Sequence, residues 1–220
     1  MKFTSVLKVL EINLKRNFVP HFCLAVCVAL LTPVIFETRS LDERLAAQPI
    51  EMMLSLCGTI LLTPVFLPEQ NEEIRDVIRS RRAGYLPVIT LRVVYSLAAL
   101  ALILGGFLLM MRLRESAVTW RHFAGGFTSA LFLGALGFTT ASVSGNAPAG
   151  YMVSLIYYIA NFSLKNKLGK LFLFSMYAGS FEEKYYILPI SAGLIVLTVC
   201  LKTPPSRLLL PRSAKEPPVY

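Results

Sequence analysis

Long, nearly uncharged apolar runs constrain the fold of this sequence more than any other feature. A helix that crosses about 30 Å of hydrocarbon needs about 20 predominantly apolar residues. Six stretches approach that length, at residues 18–36, 49–67, 85–111, 122–144, 147–162 and 185–201. The sequence therefore predicts an all-α, polytopic membrane protein whose six transmembrane helices occupy residues 18–201.

The composition agrees with a membrane protein and argues against a nucleic-acid-binding one. Charged residues make up 16% of the chain, whereas soluble domains average about 25%. The net charge of +9 would suggest nucleic acid as the partner of a soluble protein. In a membrane protein, lysine and arginine commonly lie at the lipid headgroups instead. No nucleic-acid-binding motif is present, so we expect a lipid membrane and no nucleic acid as partner.

Two polar segments flank the spans. Residues 1–17 place apolar side chains at spacings of three and four, with Lys8, Lys15 and Arg16 between them. This pattern predicts an amphipathic interfacial helix, with a solvated leader as the alternative. Residues 202–220 hold five prolines and predict an extended or disordered cytoplasmic tail. With six spans, thirteen lysines and arginines lie on the side of the termini and nine on the other, which favours cytoplasmic termini.

Catalytic and metal-binding motifs are missing from the sequence. It contains no P-loop, HExxH or GxSxG pattern, and its four cysteines form no CxxC pair. The two histidines, His21 and His122, lie near span ends and are interpreted as structural. We therefore expect no enzyme, no catalytic residue, no metal and no cofactor in this chain.

The positions of the charged residues bear on how transport would be powered. None of the thirteen carboxylates is predicted near the middle of a span, and Glu37 and Glu51 are placed at span edges. Ion-driven transporters keep ionisable residues inside the membrane, so this pattern argues against a self-powered proton antiporter. Arg92 is the one basic residue well inside a predicted span. It is expected either to snorkel to the interface or to pair with a carboxylate such as Glu69 or Glu73 in a gating or structural role.

A segment between the fifth and sixth spans is too short in its apolar part to cross a membrane. Its apolar positions predict one helical face, formed by Leu168, Leu171, Phe172 and Met176. Irregular backbone at membrane depth has to be covered by protein or line a water-filled cavity. We therefore predict a re-entrant or interfacial segment before the last span.

A balanced charged block lies between the second and third spans, at residues 68–87. Asn71 suits a helix N-cap, Glu72 and Glu73 suit the positive end of the helix dipole, and arginines gather at the other end. Ile74, Val77 and Ile78 form a narrow apolar stripe. The block predicts a short surface helix that either simply ends two spans or docks a soluble partner.

This layout resembles the permease subunit of a type-2 ABC exporter. The resemblance rests on the leading surface helix, the charged helix after the second span, the tight "SVSGNAPAG" connection, the broken segment before the last span, and the local residues "PE" at 68–69 and "EIR" at 73–75. It implies that the charged block is a cytoplasmic coupling helix and that residues 164–179 are outward-facing and re-entrant. The basic stretch 165–170 and the short fifth span depart from the pattern.

The resemblance implies partners that this chain lacks. The residues implied to contact a cytoplasmic ABC ATPase, which would carry ATP and magnesium, are Glu72, Glu73, Ile74, Val77 and Ile78. A second permease subunit, identical or related, would complete the transporter in a bacterial plasma membrane. The expected substrate is amphipathic or hydrophobic: a peptide, including an antimicrobial peptide, a lipid-linked molecule or a drug. The alternative is a non-transporting immunity, sensor or assembly protein of the membrane that docks another soluble partner.

Overall fold

The computed structural model of the chain describes residues 17–69 and 85–202. Three predicted features lie outside these residues: the interfacial helix up to residue 16, the coupling helix, and the tail from residue 203 onward. Within the described residues the chain forms six helices. They are α1 (Val19–Ile35), α2 (Glu43–Pro68), α3 (Tyr85–Leu113), α4 (Trp120–Ser144), α5 (Ala147–Leu164) and α6 (Glu182–Lys202).

The all-helical prediction is confirmed for the described residues. Four helices, α2, α3, α4 and α6, are long and apolar enough to cross a membrane. Helix α1 is apolar but has only 17 residues, and α5 is not among the four. These features indicate a helical membrane protein with several spans.

Helix α2 begins earlier than the sequence predicted and is irregular along its length. The second span was predicted to start at residue 49, but the helix runs through Pro49 from Glu43. A π-helical turn, Ile50–Leu54, follows the proline, and the helix ends as a 3-10 segment, Thr63–Glu69. Proline lacks the N–H of a regular helical turn and its ring crowds the preceding turn. The prolines of α2 therefore stand where its pitch changes.

Helices α2 and α4 form the centre of the bundle. About 72% of the apolar stretch of each is buried, against 22% for α6. Helix α4 packs against α2, α5 and α6. A β-carbon at Gly58 of α2 would lie only 1.8 Å from the carbonyl oxygen of Ala130 in α4. Glycine lets the two backbones come this close, as small residues do between membrane helices.

The outer faces of the bundle are apolar. Large aliphatic side chains stand exposed on four helices, for example Leu30 on α1, Leu102 on α3, Ile156 on α5 and Val196 on α6. A soluble monomer rarely exposes contiguous apolar surface on this scale. Lipid is the natural cover for such faces in a membrane protein.

The bundle has two distinct ends. At one end, which we call the strap end, α2, α4 and α6 begin, and Nε2 of His122 lies 2.7 Å from the carbonyl oxygen of Glu43. His122 also completes a capping box with Thr119 at the start of α4, as expected of a structural histidine. At the other end, the loop end, α2 finishes and α3 begins. A 26-residue helix is about 39 Å long, so α2 joins the two ends.

The segment between α5 and α6 departs from its predicted form. A 3-10 helix, Lys165–Leu171, is followed by extended backbone at Phe172 and then by turns through residue 179. The prediction that Leu168, Leu171, Phe172 and Met176 share one helical face was therefore wrong. Residues 169–179, which we call the strap, instead fold irregularly against the strap end of the bundle, with residues 172–176 buried.

Candidate functional site

A buried ion pair lies beneath the strap. The Nζ of Lys184 is 2.6 Å from Oε1 of Glu51, and the two side chains are 2% and 0% exposed. Glu51 belongs to the π-helical turn of α2, and Lys184 to the first turn of α6. A buried ionisable pair in a membrane protein is a candidate functional site by default, because charge in the membrane interior is costly and seldom retained without use.

Neither member of the pair lies where the sequence predicted it. Glu51 was predicted at a span edge, but α2 begins eight residues earlier, so Glu51 lies about 12 Å along the helix. The last span was predicted to begin at residue 185, but α6 begins at Glu182 and includes Lys184. No local pattern links two residues this far apart in sequence. The available signal was limited to a carboxylate just after a proline and a lysine just before an apolar run.

The ammonium group of Lys184 uses all three of its donors. It donates to Glu51, to the hydroxyl oxygen of Ser129 at 2.6 Å, and to the carbonyl oxygen of Leu173 in the strap. Ser129 lies on α4 and donates to the carbonyl of Gly125 at 3.1 Å. An ammonium carries three donors and no acceptor, so Lys184 is fully satisfied by groups from α2, α4 and the strap.

The carboxylate of Glu51 holds the strap by its backbone. Its Oε1 accepts from the amide of Met176 at 3.2 Å, and its Oε2 accepts from the amide of Tyr177 at 2.9 Å. Hydrogen bonds to an ionised acceptor are roughly twice as strong as neutral ones. The ion pair therefore joins α2 and α6 and also binds the strap between them.

Helix α5 supplies further polar contacts of the buried strap. Oδ1 of Asn161 accepts from the amide of Leu173 at 2.7 Å, and Nδ2 of Asn161 donates to the carbonyl of Tyr157 at 2.8 Å. The hydroxyl of Tyr157 donates to the carbonyl of Leu171. Buried backbone outside regular structure needs such partners. Side chains from α2, α5 and α6 provide them, together with Ser129 of α4, whose hydroxyl lies 3.3 Å from the Leu173 carbonyl oxygen.

The apolar side chains of the strap complete its packing. Phe172, Leu173 and Phe174 are buried in one cluster with Leu133 of α4 and Ile187 of α6. The sulfur of Met176 lies only 2.3 Å from the position that a β-carbon on Gly125 would occupy, so only glycine leaves room for it. The strap therefore fills the space between α2, α4, α5 and α6 at this end.

A row of buried hydroxyls continues from Glu51 toward the loop end. Ser55, Thr59 and Thr63 follow Glu51 at intervals of four residues and therefore share its face of α2. All three are 3% exposed or less, and their hydroxyls have no hydrogen-bond partner among the residues that the structure describes. A β-carbon at Gly137 would lie 2.2 Å from Oγ1 of Thr63. This polar row thus lies in the tight contact between α2 and α4.

Arg92 lies at the loop end and is buried, with 1% of its surface exposed. Its Nη1 donates to the carbonyl of Val65 at 3.0 Å. In the 3-10 segment this carbonyl would accept from residue 68, but Pro68 has no N–H. Arg92 therefore supplies a donor that the proline removes, and its burial argues against snorkelling to the interface. Pairing with Glu69 or Glu73 stays a prediction, because those side chains lie outside the described part of the structure.

Most of the sequence-predicted site residues lie outside the part of the chain that the structure describes. Glu69 closes the 3-10 end of α2, with a side chain outside the described part of the structure, and the coupling-helix residues Glu72, Glu73, Ile74, Val77 and Ile78 lie outside it entirely. Phe172 is buried against the bundle, whereas Leu168 is half-buried and Leu171 exposed. The candidate site that the structure assembles is made of Glu51, Ser129, Asn161, Lys184 and the strap.

Comparison of the chain with protein-family models, with curated proteins and with solved structures found no match. The function of this chain is therefore inferred from the geometry of the bundle.

Proposed function

We propose that this chain is the transmembrane permease subunit of an ATP-driven exporter that works with a separate cytoplasmic ATPase. The observation that carries the proposal is the placement of two features at opposite ends of α2. The strap packs at one end, where Glu51 holds it, and the charged block at residues 68–87 connects α2 to α3 at the other. A permease of this kind receives energy at one membrane face and opens its path at the other.

Helix α2 provides the mechanical link between these ends. Its π and 3-10 turns interrupt the regular pitch, but the helix is continuous from Glu43 to Pro68. Close contact through Gly58 ties it to α4. A push on the loop end of α2 by an ATPase would then move α2 and α4 together. The displacement would reach Glu51 and so change the geometry under the strap.

Six spans with both termini in the cytoplasm are part of the proposal. Helix α1 has 17 residues and α5 has 18, which gives lengths of about 26 and 27 Å. A hydrocarbon core is about 30 Å thick, and short helices can be accommodated by local thinning of the bilayer. The strap end would then face outward, in a bacterial plasma membrane.

The buried ion pair does not require ion coupling. Glu51 accepts two backbone N–H groups besides Lys184, and Lys184 donates to three acceptors. A proton carrier has to exchange partners with water, whereas these groups are satisfied within the protein. We therefore retain ATP hydrolysis on a partner chain, which would hold ATP and magnesium, as the energy source.

The remaining parts of the proposal are a second permease subunit, identical or related, and an amphipathic or hydrophobic substrate such as a peptide, a lipid-linked molecule or a drug. The apolar outer faces of α1, α3, α5 and α6 suit contact with lipid and with such a subunit. The chain itself would contribute binding surface and geometry and no covalent chemistry.

Co-purification of ATPase activity tests the proposal. We expect the tagged protein, purified from membranes of its source organism, to carry a P-loop ATPase and measurable ATP hydrolysis. Replacing the apolar stripe with charge, in the variant Ile74→Asp with Val77→Asp, should remove that activity from the purified complex. Burying a carboxylate in an apolar contact is strongly unfavourable.

Ser80→Asp is the matched control, because it adds a carboxylate in the same block but outside the stripe. It should retain the ATPase. Retention of full ATPase activity by the doubly charged variant would refute the coupling helix. Absence of any ATPase from the wild-type preparation would favour an immunity, sensor or assembly protein that docks a different soluble partner.

A further inference from the structure

We propose that the Glu51–Lys184 pair is a latch that keeps the strap closed over one end of the bundle, and that the strap swings out between Gly169 and Gly179 when the pair separates. The geometry of the latch stands by itself; its use as the outward gate of an exporter rests on the proposed function. It gives that function a moving part at the end where substrate would leave.

Glycines with left-handed backbone stand at both ends of the strap. Gly169 has φ 54° and ψ −126°, and Gly179 has φ 89°. The first conformation is essentially restricted to glycine, and glycine can pass between such conformations with little steric penalty. Residues that absorb a large change in φ and ψ at the ends of a moving segment are the usual hinges.

Beyond Leu171 the strap forms extended backbone and turns, whose own backbone hydrogen bonds join strap residues and would move with it. The amides in its middle, those of Leu173, Met176 and Tyr177, depend instead on side chains of the bundle. The ion pair supplies three contacts to this middle part: Glu51 accepts from Met176 and Tyr177, and Lys184 donates to the carbonyl of Leu173. Loss of the pair would therefore release the middle of the strap.

Apolar burial by itself holds the strap weakly in a membrane. Phe172, Leu173 and Phe174 would lose little by moving from the bundle to lipid, because lipid tails are as apolar as the protein interior. The polar contacts are different, since a buried amide or charge without a partner is costly in either place. The restraint on the strap is therefore concentrated in its polar contacts with the bundle. The ion pair and Asn161 hold its middle, Ser129 also donates to the Leu173 carbonyl, and Tyr157 and Arg44 hold the carbonyls of Leu171 and Ala178 near its ends.

The two members of the pair lie on different helices, and this makes the latch responsive to helix movement. Glu51 is on the central helix α2, whereas Lys184 is on α6, which is largely exposed. Both helices pack on α4. A displacement of α2 relative to α6 would lengthen the 2.6 Å contact and weaken all three strap bonds together.

Cysteine labelling in isolated membranes tests the latch. Ser175 suits the probe, because it is 0% exposed and its hydroxyl has no partner among the described residues. The variant Ser175→Cys is made with the four native cysteines changed to alanine and is treated with N-ethylmaleimide. We expect slow labelling in this protein and at least tenfold faster labelling after Glu51→Leu with Lys184→Met. Removing both charges avoids leaving one buried and unpaired.

Two controls separate latch opening from general loosening. Native Cys57 is also 0% exposed but lies in the centre of α2; retained as the single cysteine, it should stay protected in the double variant. Arg92→Met removes an equally buried charge at the loop end and should leave Ser175→Cys protected. The isosteric Glu51→Gln provides a second test should the double variant fail to accumulate, with labelling again faster than in the parent.

Two results would overturn the latch. One is continued protection of Ser175→Cys in both the double variant and Glu51→Gln, and the other is equal exposure of Cys57. The labelling needs neither ATP nor the partner ATPase. A failed latch and a failed exporter proposal are therefore distinguishable, because the second is judged by co-purification alone.

Discussion

Replacement of Gly58 by alanine should separate the two central helices. The new β-carbon would lie 1.8 Å from the carbonyl oxygen of Ala130, and its ordinary contact distance is about 3.4 Å. The backbones of α2 and α4 would have to move apart by the difference, about 1.6 Å. No rotamer change relieves the clash, because the contacted atoms belong to backbone.

The size of the effect follows from two opposing terms. Overpacking a well-packed core commonly costs about 1–3 kcal/mol, and occasionally more. Alanine also has a better helix propensity than glycine, which offsets up to about 1 kcal/mol of that cost. A contact between rigid backbones belongs at the upper end of the first range, so we expect Gly58→Ala to lower the free energy of unfolding by about 2 kcal/mol or more.

Gly106 on α3 provides the matched control, because a β-carbon there would meet nothing within 4 Å. Gly106→Ala should therefore be neutral or slightly stabilising through propensity alone. Thermal unfolding of both variants in detergent, followed by circular dichroism, measures the difference. At roughly 2–4 °C per kcal/mol for a chain of this size, Gly58→Ala should unfold at least about 4 °C below the control. Unfolding of Gly58→Ala at or above the wild-type temperature would refute the close contact of α2 with α4.

Two further variants test the strap end. Asn161→Ala leaves the buried amide of Leu173 without its acceptor, and should lower stability by about 1–3 kcal/mol, measured as a drop in melting temperature. His122→Ala removes the cap shared with Thr119 and the contact with the Glu43 carbonyl. It should cost about 1–2 kcal/mol by the same measurement.

Each of these variants has a control at an equivalent residue. Asn146→Ala changes an exposed asparagine in the α4–α5 connection, directly before α5, and His21→Ala removes a histidine that contacts only the nearby Asn17 carbonyl among its described hydrogen bonds. His21→Ala should lie within about 0.5 kcal/mol of wild type, as is usual for surface changes. Asn146→Ala should cost no more than about 1 kcal/mol, the usual contribution of an asparagine at the start of a helix. A drop for Asn161→Ala no larger than that for Asn146→Ala would contradict the strap contacts.

The sequence predicted the helices well, because each depends on local composition. Six apolar runs near the length of a span became six helices, with most bounds within three residues. The second helix is the exception, since its span was predicted to start at residue 49 whereas the helix runs through Pro49 from Glu43. Composition reports where a helix is apolar, but whether a proline begins a helix or stands within one depends on what packs around it.

The pairing of charges was decided by the tertiary structure alone. Lys184 meets Glu51 because α2, α4 and α6 all begin at the same end of the bundle and the strap folds in between them. Arg92 likewise contacts α2 because Pro68 leaves the Val65 carbonyl without an N–H partner, and Arg92 donates to it. An isolated sequence shows Glu51 and Lys184 as charges near the edge of an apolar run and Arg92 as a single charge within one.

The sequence by itself therefore determined that this chain is a helical membrane protein, because the cost of placing polar groups in hydrocarbon is set residue by residue. The tertiary structure decided which groups surround the charged residues of the bundle, Glu51, Lys184 and Arg92. A buried carboxylate or ammonium is tolerated only when several groups distant in sequence converge on it. That convergence at Glu51 and Lys184 binds an irregular strap to the bundle and provides the candidate site.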